Sequence, residues 1–192
     1  MHLPSLGHVF TEGCQSGYNT MYLKWTFTRG TSWDMDLIDE FSNLTAALSH
    51  AGVSFAVCGG IAVGIHGFVR FTEDIDLMIL EEDLELALSV ARSLGYSVDS
   101  GRIPLLRGTP WEHTVYRVVK VEGREFLPLD LVLVNEEMRS IWEDCGIFQW
   151  QGRNIQCVSR QGLMEMKRRA GRSKDLIDLE ELRGVNEEDP GE

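Results

Sequence analysis

The spacing of apolar residues changes several times along the chain, and each change predicts an element. From residue 34, Leu37, Phe41, Leu44 and Leu48 share a helical stripe that closes at Gly52, an amphipathic helix opened by a capping Asp at position 34. Phe55 to Leu80 then reads as a strand, a tight Gly59-Gly60 turn, a short helix, a connector and a second strand. Glu81, Glu82 and Asp83 precede a helix with buried stripe Leu84, Ala87, Leu88, Ala91 and Leu94, stopped at Gly95, and acids in a first turn suit the helix dipole. Ser100 to His113 carries Gly101, Pro104, Gly108 and Pro110 and reads as a loop that could border a substrate. Thr114 to Val121 and Phe126 to Val134 predict two strands joined as a hairpin through Glu122, Gly123 and Arg124. Asn135 caps a further helix with stripe Met138, Ile141, Trp142 and Cys145, ended by Gly146, and a strand follows near Asn154 to Val158. Two helices close the pattern, one capped by Ser159 and carrying Leu163, Met166, Lys167 and Ala170, the other capped by Ser173 and carrying Asp175, Asp178, Leu179 and Leu182.

Residues 1–33 show no sustained period, although Met21 to Thr28 could make a short strand. We read them as an extension with Met35 as a candidate natural start, the other reading being a genuine flexible or strand-adding arm. One domain then spans residues 34–183, with a helical part at 159–183 and an acidic tail at 184–192, expected to be disordered. A length of 192 residues, 43% of them hydrophobic, suits a single core. The net charge of -12 argues against general coating of nucleic acid, although a local basic patch remains open. Cys14, Cys58, Cys145 and Cys157 lack metal spacing and fit reduced thiols in a cytoplasm. No apolar run approaches the roughly 18 residues of a membrane span, so a soluble protein is expected.

The candidate chemistry lies in the second stretch. Side chains two apart on a strand share a face, so Asp74 and Asp76 can converge on one divalent cation while Ile75 and Leu77 turn inward. Gly59 and Gly60 let backbone approach a ligand and aim helix N–H groups at an anion. Asp130, alone in the run Leu129-Asp130-Leu131-Val132-Leu133, is costly to bury unless it is paired or binds metal. It is the expected third carboxylate; otherwise it is a strand-end acid in a salt bridge. Three converging acids suit two-metal phosphoryl chemistry with magnesium, manganese being the alternative. Arg70, just before the acids, could take a phosphate or carboxylate on two prongs. His66 is expected to pack or cap the short helix, and Cys58 to be a small buried apolar group.

The order of a Gly-Gly turn, a helix with a His-Gly pair, Arg70-Phe71-Thr72-Glu73-Asp74-Ile75-Asp76-Leu77 and a later apolar strand with one Asp resembles the nucleotidyltransferase superfamily of DNA polymerase beta. The resemblance covers about Asp34 to Arg183. It implies an α/β (α+β) fold with a mixed β-sheet flanked by helices and a C-terminal helical pair. It implies catalytic, metal-holding roles for Asp74, Asp76 and Asp130, and nucleotide-binding roles for Gly59, Gly60, Arg70 and Thr72. Gly60 stands where many members carry serine, which leaves phosphate contact there to backbone amides. The end of the chain is similar to that of AbiEii-type toxins, which implies nucleotide-binding roles for Lys167, Lys174 and Asp175 beside Arg172 and Asp178. The activity implied is transfer of a nucleoside monophosphate from an NTP to an acceptor hydroxyl on RNA such as tRNA, a small molecule or a protein. Arg160, Lys167, Arg168, Arg169, Arg172 and Lys174 could form a landing site for RNA, and a cognate antitoxin is a candidate partner. The competing expectation is a non-catalytic nucleotide- or partner-binding component of a toxin-antitoxin pair.

Overall fold

A computed structural model describes residues 35–68 and 70–184 of the chain. The readings of residues 1–33, of a cap at position 34 and of the tail beyond Gly184 lie outside the described residues. The helix α1 spans Leu37–Ala51 and is capped by Asp36, whose carboxylate accepts from the N–H groups of Ile38 and Asp39. It ends at Gly52, whose φ of 79° lets the chain turn back and bond Leu48 and Ser49.

The chain continues as β1 (Phe55–Val57), α2 (Gly59–Ile65), β2 (Ile75–Ile79), α3 (Leu84–Ser93), β3 (Tyr96–Leu105), β4 (His113–Glu122) and β5 (Glu125–Leu133). It closes with α4 (Arg139–Glu143), β6 (Gly146–Trp150), β7 (Arg153–Cys157), α5 (Arg160–Ala170) and α6 (Ser173–Gly184). Among the described residues the strands form one sheet in the order β3, β4, β5, β2, β1, β7, β6. The sheet is mixed: β2 runs parallel to β5 and β1 to β7, while the remaining neighbours are antiparallel. The expected mixed sheet flanked by helices, with a terminal helical pair, is therefore the architecture observed.

Period-two alternation divides the sheet into two faces. Ile75, Leu77 and Ile79 on β2 join Leu127, Leu129, Leu131 and Leu133 on β5 in the core. Lys120, on the same face of β4, reaches Glu40 of α1 at 2.7 Å, which places α1 over that side. Asp76, Asp130 and Arg117 occupy the opposite face, where α2 begins.

Three expectations change. Residues 100–105 belong to β3 rather than to a loop, which shortens the loop to 106–112. Pro104 is tolerated because β3 is an edge strand, and the irregular register around Asp99 and Gly101 absorbs a glycine at φ 72°. A strand missed in the sequence, β6, pairs with β7 from Gly146 to Trp150. Ser173 is the first residue of α6 and not its cap; Asp175 reaches back to the N–H of Arg172, the reciprocal half of a capping box. The caps read at Asn135 and Ser159 are present, each accepting from the third residue on.

Candidate active site

The site is built where β1 and β2 meet α2. Pairing of Val57 with Leu77 and the bond from Cys58 N–H to Asp76 C=O bring the Gly59-Gly60 turn directly over Asp76. Gly59 has φ 61°, and a Cβ there would stand 1.8 Å from Asp76 Oδ2, so the carboxylate fills the space that a side chain would need. At Gly60 a Cβ would meet Thr72 Oγ1 at 2.4 Å and an Arg70 guanidinium nitrogen at 3.0 Å. The volume that a turn serine would use is thus occupied by the hydroxyl of Thr72, supplied by the connector. Thr72 donates to Asp74 Oδ1 at 2.8 Å and orients the first acid just ahead of β2.

Register supplies the rest. Asp76 is opposite Asp130 across the parallel β2–β5 pair, and Asp130 is opposite Arg117 across β5–β4. Three charged side chains therefore stand in a row on one face of three adjacent strands. Arg117 grips Asp130 with both prongs, Nε to Oδ1 and Nη2 to Oδ2, each at 2.6 Å. Such a forked pair is among the stronger polar contacts, and it meets the burial cost that the sequence identified for Asp130. The salt-bridged alternative is thus realised, in mid-strand and beside Asp76. Arg117 is the residue that sequence reading missed.

Crowding of carboxylates shows in Asp76, whose pKa is raised to about 7 by burial first and then by the charges of Asp74 and Asp130, with Lys167 and Arg172 opposing. Among the described residues no three His, Cys, Asp or Glu side chains form a group ready to hold a metal ion. Arg117 engages Asp130 and Thr72 engages Asp74. The donor chemistry still suits a hard cation, because a divalent charge at Asp74 and Asp76 would offset both the burial cost and the carboxylate repulsion that raise the pKa of Asp76.

The C-terminal residues form a buried network beside the acids. Lys167 is 4% exposed, with Nζ 2.7 Å from Asp178 and 3.3 Å from Asp175. Asp178 also pairs with Arg70 at 2.9 Å, and Asp175 with Arg172 at 2.7 Å. Four of the positions singled out in the sequence, Arg70, Lys167, Asp175 and Asp178, thus hold α5, α6 and the connector together. Lys174 is exposed on the first turn of α6. The basic cluster is largely engaged within the protein: Arg168 and Arg169 pair with Glu165, Arg160 donates to the carbonyl of Leu182, and Arg169 lies 3.6 Å over the Trp111 ring. His66 bonds the carbonyl of Val158 at 2.9 Å and packs edge-on against Phe148, as a capping histidine should. Its pKa is lowered chiefly by burial. Cys58 is buried and its thiol is pushed up by burial first, as an apolar role requires.

Solved structures share this fold. The lincosamide antibiotic adenylyltransferase LnuA, solved with lincomycin bound, superposes with a TM-score of 0.52 at 15% identity, over 77% of this chain and 96% of that one. ANT(2'')-Ia, in complex with adenylyl-2''-tobramycin, gives 0.53 at 14% identity, over 78% and 88%. No curated protein matches the sequence. The profile of the family described as nucleotidyl transferase of unknown function (DUF2204) matches residues 38–191, and the chain belongs to that family. It is a nucleotidyltransferase.

Proposed function

We propose that the chain transfers a nucleoside monophosphate from an NTP to an acceptor hydroxyl and releases pyrophosphate. The observation that carries this reading is the row Asp76–Asp130 with the Gly59 turn seated on Asp76. The acceptor oxygen forms a bond to the α-phosphorus while the bond to pyrophosphate breaks, the electron pair leaving with pyrophosphate. Asp130 takes up the hydroxyl proton once Arg117 has turned from it. Asp74 and Asp76 would hold magnesium, which supplies charge neutralisation on the triphosphate. Gly59, Gly60 and Thr72 offer donors to the phosphates, and Arg117, 38% exposed, is placed to exchange a carboxylate for a phosphate of matching geometry. Lys167, Arg70 and Asp175 act on the site from behind, by fixing α6 and the connector that carries Asp74.

The test is pyrophosphate release from labelled NTP with magnesium. Asp76→Asn and Asp130→Asn should each abolish transfer while the fold, read by circular dichroism, is kept; full activity in either variant overturns the assignment. A toxin-type action on RNA, as in AbiEii-like proteins with an antitoxin partner, draws support from the C-terminal resemblance and would be revealed by growth arrest on expression. Against it stands the internal engagement of the basic cluster. The free thiols of Cys58, Cys145 and Cys157 support a cytoplasmic setting. Among the described residues no helix is long and apolar enough to cross a membrane.

One observation favours a second reading, a non-catalytic nucleotide- or partner-binding module: the closed Arg117–Asp130 pair. Calorimetric binding of NTP and magnesium without turnover over RNA, protein and small hydroxyl compounds would select it.

A further inference from the structure

We infer that the acceptor lies on an apolar shelf formed by β3, β4 and β5 beside Asp130, and that it is a compact, neutral or cationic ring-bearing molecule rather than a polyanion. The inference rests on the nucleotidyltransferase reading above and names the substrate class of the same site.

Strand alternation makes the shelf. On β5, Phe126 and Pro128 share the face of Asp130. Register sets Val121 opposite Phe126, Val119 opposite Pro128 and Val98 opposite Val119. Five apolar side chains therefore continue the charged row outward from Asp130. At about 3.3 Å of rise per residue, Pro128 lies about 7 Å and Phe126 about 13 Å along the strand from Asp130. That reach matches a molecule of one to three rings with its hydroxyl at the carboxylate.

Exposure marks this face as more than core. Phe126 is 69% exposed, Val121 50% and Val98 48%, whereas Leu127 and Leu129 on the other face of β5 are at 5% and 0%. Met78, Val115 and Val132 are buried on the inner part of the face that carries the catalytic row, whereas the outer end of the ribbon fills the core from its other face and leaves large apolar groups open on this one. Apolar groups gathered on an open surface mark a binding site more often than chance. The strand β2 begins opposite Leu129. The ribbon beyond that point projects past β2, and its shelf joins the mouth of the site.

Charge decides the class of occupant. On this face Arg117 is paired with Asp130. At the far turn Arg124 stands between Glu122 and Glu125. Asp74, Asp76 and Asp130 lie at the inner end, and the whole chain carries -12. An RNA backbone laid here would meet carboxylates without compensating bases; a neutral or cationic ring would meet apolar surface and, at its hydroxyl end, a general base. The acceptor's oxygen then attacks the α-phosphorus with loss of pyrophosphate, as above.

The experiment incubates the full chain with magnesium and each labelled NTP in turn, against separate acceptor pools. These are lincomycin, tobramycin and the small-molecule fraction of a cell extract, then total RNA, then casein. Label should enter a small product, and Phe126→Ser should lower its formation at limiting acceptor by about tenfold, through acceptor KM rather than kcat. Phe126 is exposed, so the variant tests contact and not folding. An unchanged rate in Phe126→Ser, label in RNA or casein, or bound nucleotide with no labelled product from any pool overturns the shelf. Failure of the wild-type chain to bind Mg·NTP in calorimetry, with no pyrophosphate released, would instead sink the parent reading.

Discussion

Replacing Asp76 by Asn should make the protein more stable at neutral and alkaline pH. Asp76 holds its proton to about pH 7 against an ordinary carboxyl value of 3.8, because burial and the neighbouring Asp74 and Asp130 all oppose its charge. The folded chain binds that proton more tightly than the unfolded one. As pH rises, the unfolded state ionises first and stability is lost, beginning near pH 4 and levelling off above about 7. At about 1.4 kcal/mol per pH unit, the full loss is roughly 4 kcal/mol. An Asn side chain mimics the protonated form and escapes it. Urea unfolding of both chains at pH 5 and pH 8 should therefore show the advantage of Asp76→Asn widening by roughly 2 to 3 kcal/mol over that interval. Excess magnesium should narrow the gap by stabilising the wild type alone, since a cation that requires Asp76 can bind only there. A gap independent of pH, or a variant less stable than wild type at pH 8, would refute the argument that burial, reinforced by Asp74 and Asp130, holds the proton on Asp76.

The other predictions concern contacts around that centre. Lys167→Met leaves Asp175 and Asp178, 0% and 2% exposed, without the ammonium between them; thermal or urea unfolding should show a loss of roughly 3–5 kcal/mol, and a loss below 1 kcal/mol would mean that Arg70 and Arg172 suffice. Gly60→Ser should impair both stability and activity, because its Cβ would lie 2.4 Å from Thr72 Oγ1. The double variant Gly60→Ser/Thr72→Gly should recover part of both, and failure to recover either would remove Thr72 as the occupant of that space. Arg117→Ala should cost about 1–3 kcal/mol by stripping two short bonds from Asp130, read by urea unfolding.

The parts of the site carried by local sequence were legible, and Arg117 shows how close the rest came. Asp74, Asp76 and the glycine turn lie within one strand–turn–helix–strand unit, so composition and spacing suffice to bring them together. Asp130 could be singled out because an isolated carboxylate in an apolar strand needs a partner, whatever its register. That partner was itself within reach. Counting back equally from the Gly123-Arg124 turn pairs 117 with 130, and the same count pairs Val121 with Phe126. Lys167 shares a helical stripe with Leu163, but what it meets is set by how α6 returns across α5. No periodicity encodes that crossing. Residues 100–105 form a strand despite Gly101 and Pro104 because β3 is an edge strand, which accepts both. β6 begins on Gly146, a glycine that by sequence suits a helix stop, although α4 already ends at Glu143 with Asp144 as its cap.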